Sequence, residues 1–225
     1  MQRAPLVLWI LLCIGALAAL ILAEYRQDFA FKFVAKLLAS TAFVAAALAW
    51  GAVDYSYGRW MLAGLLFCWL GDVLLLPEGS GSIFLAGLLA FLFGHLSYAA
   101  AFLQLPLNWL YGSVALILAL ISGAMVFCWL WSSLPKVMRV AVPVYMLVIF
   151  GMVVLACAAS GAGAPAVLAI GAAGFATSDL AVARERFIVL NFANRAWGLP
   201  AYYFSQLLLA YSIYLVHNRY LPDIG

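Results

Sequence analysis

Residues 110–131 read LYGSVALILALISGAMVFCWLW, residues 132–136 read SSLPK, and residues 137–158 read VMRVAVPVYMLVIFGMVVLACA. The first run holds no acidic, basic or histidine side chain, and the second holds only Arg139, near its start. At 1.5 Å per residue, a helix of either length reaches roughly 30 Å, the hydrocarbon thickness of a bilayer. A spanning strand would instead alternate apolar and polar positions over about ten residues. An open strand would also leave its backbone groups unpaired in lipid. The stretch reads as a membrane-spanning helical hairpin.

Six further runs lie near 5–23, 33–50, 60–76, 83–104, 165–183 and 199–217. The predicted fold class is all-α, a polytopic membrane protein with eight transmembrane helices in a single transmembrane domain over 1–225. The third and seventh runs are marginal in length, and each carries an aspartate near its second end. The connections are short (EYRQDFAFK, GAVDYSYGR, PEGSGS, a turn around Pro106 and Asn108, SSLPK, SGAGA), except for RERFIVLNFANRAWG. Arg3 and the tripeptide Ala16-Leu17-Ala18 resemble a signal peptide. The apolar run continues through Ala23, past a cleavable h-region, so it reads as the first helix.

Composition agrees. Of 225 residues, 69% are apolar and 8% charged, and the mean hydropathy is +1.14. A soluble domain is about 45–50% apolar and about 25% charged. Soluble enzymes, disordered segments and nucleic-acid modules are poor readings, and a net charge of +3 has nothing like the density that a nucleic-acid-binding face needs. Cys13, Cys68, Cys128 and Cys157 lie in apolar runs and read as small core residues. With His95 and His217 far apart they form no zinc framework, so neither a metal nor a cofactor is expected.

Eight runs place both termini on one side, with Arg3, Arg59 and Arg219. The other side carries Arg26, Lys32, Lys36, Lys136, Arg139, Arg184, Arg186 and Arg195. The positive-inside rule predicts that this second side is cytoplasmic and both termini are outside. Asp72 in FCWLGDVLL and Asp179 in GFATSDLAV stand 107 residues apart. The same offset carries His95 to Tyr202, although it carries Lys36 to Pro143. This points to a parallel 4+4 repeat with halves 1–106 and 107–225.

A charge inside hydrocarbon costs several kcal/mol unless it is paired or hydrated. Lys36, Asp72 and Asp179 lie within runs, accompanied by His95, Tyr98, Tyr145, Tyr202, Tyr203 and Gln206. Although chain direction alternates, all fall in the cytoplasmic half or near the midplane; His95 is deepest, about 18 Å along its helix. Gly87, Phe91, His95, Tyr98 and Phe102 share one helical face, as do Gly64, Cys68 and Asp72, and Gly171, Phe175 and Asp179. A structural reading remains beside the functional one: the acids as helix-packing groups with Lys36 as counter-charge, His95 and the tyrosines as interhelical hydrogen bonders.

Lys36 with Ser40-Thr41, Leu70-Gly71-Asp72, and Phe91–Tyr98 as FxxGHLSY resemble the bacterial YhhN family and its animal lysoplasmalogenase relatives. The second half is similar too, through PVYM at 143–146, ATSDLAVA at 176–183 and WGLPAYYFSQLLL at 197–209. The resemblance implies an eight-helix enzyme that hydrolyses the vinyl ether of lysoplasmalogens to a fatty aldehyde and glycerophosphoethanolamine or glycerophosphocholine. It places the family's two aspartates at Asp72 and Asp179.

Vinyl ether hydrolysis starts by protonation of the β-carbon, which gives an oxocarbenium ion that water captures. It needs a protonated carboxyl group and a carboxylate, the division of labour found in glycosidases. Two like charges in a low-dielectric pocket disfavour each other, so one acid retains its proton. Asp72, Asp179 and His95 are the candidate catalytic residues, with Asp179 as the acid and Asp72 as the charged partner of Lys36. Lys36, Phe91, Tyr98, Tyr145, Tyr202, Tyr203 and Gln206 are the candidate substrate-binding residues, the lipid chain lying along the fourth and eighth helices. The expected partner is a lysophospholipid in a bacterial inner membrane, with no nucleic acid and no obligatory protein partner. The alternative is a proton-coupled transporter or a lipid-binding scaffold.

Overall fold

The computed structural model describes residues 4–77 and 81–220. Arg3, counted above on the terminal side, and positions 78–80 of PEGSGS lie outside the described residues. The described residues form eight helices: α1 (Ala4–Arg26), α2 (Phe29–Ala49), α3 (Ser56–Leu74), α4 (Gly81–Phe102), α5 (Trp109–Trp131), α6 (Met138–Gly161), α7 (Val167–Phe187) and α8 (Phe192–Tyr220). There is no strand among the described residues. Seven helices are long and apolar enough to cross a membrane. The eighth is α3, 19 residues long and carrying Arg59 and Asp72. The chain is a multi-pass membrane protein.

Most expected boundaries lie within a few residues of the observed ones. The exception is the α7–α8 connection, which shrinks to 188–191 because α7 runs on to Phe187, past the expected 183, and α8 starts at Phe192, before the expected 199. Polar residues read locally as loop find partners on other helices. The Arg184 guanidinium donates to Asn194 Oδ1 at 2.5 Å, and Asn194 Nδ2 donates to Glu185 Oε2 at 2.6 Å. With 29 residues, α8 rises about 44 Å, so its ends extend beyond the hydrocarbon. At the opposite extreme, α1 and α2 are joined by two residues. Asp28 caps α2 by accepting from the Phe31 amide at 3.0 Å, satisfying one of the first-turn N–H groups.

Consecutive helices pair as hairpins: α1–α2, α3–α4, α5–α6 and α7–α8. Helix α8 also packs on α1, α2 and α3, while α6 bridges α4 and α7. Helix α5 lies on the outside against α6, and Leu110, Ile117, Leu118 and Leu120 on it are each more than half exposed. A continuous apolar face of this kind requires a lipid solvent. Close helix approach depends on glycine at the decisive place. A methyl group on Gly71 would stand 2.7 Å from the Phe91 ring, so the missing Cβ lets α4 seat that ring beside Asp72.

Candidate functional site

Asp72 lies two residues before the end of α3 and is 4% exposed. Its carboxylate gathers donors from two other helices. Oδ1 is 3.2 Å from Lys36 Nζ of α2, while Oδ2 accepts from Ser40 Oγ at 2.6 Å and Tyr202 Oη of α8 at 2.8 Å. Lys36 and Ser40 are one turn apart, so α2 presents a cation and a hydroxyl together. The Tyr203 hydroxyl is 3.1 Å from Ser40 Oγ; because Ser40 gives its proton to Asp72, Tyr203 is the donor in that contact. A buried carboxylate loses several kcal/mol of hydration, and this set of one cation and two hydroxyls replaces it.

Asp179 has a different environment. Its Oδ2 is 3.2 Å from His95 Nε2 and accepts from Tyr145 Oη at 3.3 Å. Tyr145 Oη also stands 3.3 Å from His95 Nε2, so carboxyl, imidazole and phenol form a triangle contributed by α7, α4 and α6. Neither partner carries a permanent charge, and the Asp179 side chain is 16% exposed. His95 is fully buried, and its ring lies 4.3 Å from that of Phe175, one turn before Asp179. His95 Nδ1 has no hydrogen-bond partner.

Both acids line one cavity of about 530 Å³, together with Lys36, Tyr145, Tyr202 and Phe91. Phe84, Leu88, Val126, Leu130, Met146 and Phe150 form its apolar arm, and Glu185, Arg186, Asn194 and Arg195 complete its charged end. The arm runs between α4, α5 and α6, where sequence periodicity pointed to α4 and α8. His95, Tyr98, Tyr203 and Gln206 lie outside the lining. Tyr203 acts on Asp72 through Ser40, whereas His95 meets Asp179 directly. Tyr98 donates to Gln206 Oε1 at 2.5 Å, a turn beyond the acids, and Gln206 Nε2 is left without a partner.

Two groups of polar residues were not singled out as site candidates by sequence reasoning. Ser40 was legible as the i+4 neighbour of Lys36 and as part of the motif that carries the family resemblance, without a role at the site. Glu24, Lys32, Glu185 and Arg195 read as loop charges, yet Glu24 accepts both Lys32, at 3.3 Å, and Arg195, at 3.1 Å. No group of three or more His, Cys, Asp or Glu side chains with metal-ligand spacing occurs among the described residues.

A family model described as the YhhN family matches residues 29–213, from the start of α2 to the last two turns of α8. The chain belongs to the YhhN family. Two mycobacterial proteins similar to it, from Mycobacterium bovis and Mycobacterium tuberculosis, are each named lysoplasmalogenase. Each is 32% identical over 80% of this chain and 70% of its own length. A lysoplasmalogenase of Bos taurus is 30% identical over 68% of this chain and 64% of its own length. No solved structure matches this YhhN protein.

Proposed function

We propose that this YhhN protein is a membrane hydrolase that cleaves the vinyl ether bond of lysoplasmalogens, releasing a fatty aldehyde and glycerophosphoethanolamine or glycerophosphocholine. The single observation that carries the reading is one cavity holding two aspartates with unequal partners, Asp72 beside Lys36 and Asp179 beside His95 and Tyr145. The names of its relatives supply the substrate class.

Asp72, with a cation and two hydroxyl donors, serves as the carboxylate. Asp179, facing only neutral hydrogen-bonding groups, serves as the acid. Asp179 gives its proton to the β-carbon of the vinyl ether, and the olefin's electron pair forms the new C–H bond. The positive charge that develops on the ether oxygen and α-carbon is stabilised by Asp72. A water molecule then adds to the α-carbon while the Asp179 carboxylate accepts its proton, restoring the acid. The hemiacetal collapses to an aldehyde and a glycerol hydroxyl, its hydroxyl proton passing to the departing glycerol oxygen. His95 and Tyr145 hold the Asp179 carboxyl in place; Phe91 and the apolar arm exclude bulk water.

In this reading the chain lies in the bacterial inner membrane, with the basic loops in the cytoplasm and both termini outside. The charged end of the cavity then opens at the inner leaflet. Purified protein should release long-chain aldehyde from an alkenyl lysophospholipid and leave the saturated alkyl ether intact, because that ether has no olefin to protonate. Equal cleavage of both ethers would discard the mechanism. Movement of intact substrate across vesicles without aldehyde would favour the transporter.

A further inference from the structure

Beyond the charged end of the main cavity lies a second cavity, of about 430 Å³. Its walls carry both signs of charge: Glu24, Lys32, Glu185 and Arg195. Glu185 and Arg195 line both cavities, so their ion pair, with Nε–Oε1 at 3.3 Å, forms part of the wall between them. The charges form one chain across four helices, from Lys32 to Glu24 to Arg195 to Glu185. Lys32 is 6% exposed, which is unusual for a solvated surface lysine.

Depth relates this chain to the two aspartates. On α8, Arg195 stands seven residues before Tyr202, two turns and about 10 Å along the same face. On α7, Glu185 lies six residues beyond Asp179, about 9 Å. On α2, Lys32 lies four residues before Lys36, about 6 Å. Each of these three helices thus brings a polar residue to the main site and a charge one to two turns nearer the same end. An isolated phosphate would meet two glutamates in the second cavity, and an isolated amine would meet a lysine and an arginine. A ligand carrying both charges a few bonds apart matches all four.

We propose that the second cavity is a subsite for a zwitterionic phosphodiester headgroup, with Arg195 and Lys32 taking the phosphate and Glu24 and Glu185 taking the ammonium. This rests on the lysophospholipid reading above and extends it to the headgroup. From the vinyl ether oxygen to the ammonium nitrogen of an ethanolamine lysoplasmalogen there are nine bonds, about 10 Å when extended. That length matches the six residues of α7, about 9 Å, between Asp179 and Glu185, a carboxylate that takes the ammonium. On binding, each side chain exchanges an internal counter-charge for one on the ligand, so no buried charge loses its partner.

The test is binding of water-soluble headgroups to the purified full chain in detergent, measured by calorimetry. Glycerophosphoethanolamine should bind at least tenfold more tightly than glycerol 3-phosphate or ethanolamine. Glu185→Gln should lower glycerophosphoethanolamine affinity about tenfold and leave glycerol phosphate binding unchanged or stronger, whereas Arg195→Gln should weaken both. If either variant fails to fold, the paired exchange Glu24→Lys with Lys32→Glu keeps an ion pair between α1 and α2 and should still weaken glycerophosphoethanolamine binding. No preference for glycerophosphoethanolamine in the wild type, or affinities within twofold in every folded variant, would overturn the subsite. Aldehyde release is read separately: headgroup binding without it would overturn the reaction alone, and aldehyde release without headgroup preference would overturn the subsite alone.

Discussion

Tyr202 donates its hydroxyl proton to Asp72 at 2.8 Å, joining α8 to α3. A second pair, at the same offset of 107 residues, is His95 with Asp179 at 3.2 Å, joining α4 to α7. Each acid therefore meets a polar aromatic residue from a distant part of the chain. The equivalence ends at the counter-charge. Lys36 has Pro143 as its counterpart, so Asp72 has a buried cation and Asp179 has none.

That asymmetry separates the two amide variants. Asp72→Asn and Asp179→Asn are each expected to lower kcat by roughly 10²-fold or more, the usual scale of a general acid or base. Their stabilities should differ. Asp72→Asn leaves Lys36 buried without its carboxylate, a loss of about 3–5 kcal/mol. Asp179→Asn retains acceptor capacity toward His95 and Tyr145 and should unfold nearly as the wild type does. Combining Asp72→Asn with Lys36→Met should restore much of the stability and none of the activity. Thermal unfolding beside single-turnover kinetics reads both effects.

The His95–Tyr145–Asp179 triangle predicts a positioning effect. Tyr145→Phe removes one hydroxyl and little volume, so kcat should fall about tenfold with KM nearly unchanged, the signature of an interaction used in the transition state. A wild-type kcat in folded Tyr145→Phe would remove the triangle from the chemistry.

The sequence made the eight apolar runs legible because hydrocarbon demands continuous nonpolar helices. It also exposed Asp72 and Asp179, because intramembrane acids are costly. The start of α8 was hidden by polar residues such as Asn194 and Arg195, whose partners Glu185 and Glu24 lie on other helices. Helical periodicity placed Tyr98 and Gln206 on an inward face without showing that each occupies the other's hydrogen-bonding group. It likewise gave no sign that α5 supplies part of the cavity wall.

That wall leads to a selectivity prediction. Val126→Trp should fill part of the arm between α4, α5 and α6 and raise KM for an eighteen-carbon alkenyl chain more than for an eight-carbon chain. Each methylene displaced from the arm forfeits about 0.8 kcal/mol of burial. Equal changes for both substrates would locate the chain elsewhere.

Gly71→Ala tests the close approach of α3 and α4. The new methyl group would stand 2.7 Å from the Phe91 ring, so that ring must shift. Overpacking of this kind costs roughly 1–3 kcal/mol, and the displaced ring should raise KM. A second change, Phe91→Leu, should recover stability by making room. Unchanged melting in Gly71→Ala would contradict the packing described.

Orientation is tested by labelling single cysteines in a background without the native four. Leu190→Cys, in the exposed α7–α8 connection, should resist a membrane-impermeant maleimide in intact cells, whereas Ser56→Cys should react. The reverse pattern would invert the topology.

Protonation at carbon leaves a record in the product when the solvent is isotopically labelled. Hydrolysis of an alkenyl lysophospholipid in D₂O, with immediate reductive trapping of the aldehyde, should place one deuterium on the carbon beside the former carbonyl. Authentic aldehyde carried through the same steps should acquire none. Aldehyde formed without deuterium at that carbon would contradict proton delivery from the Asp179 carboxyl to the vinyl ether.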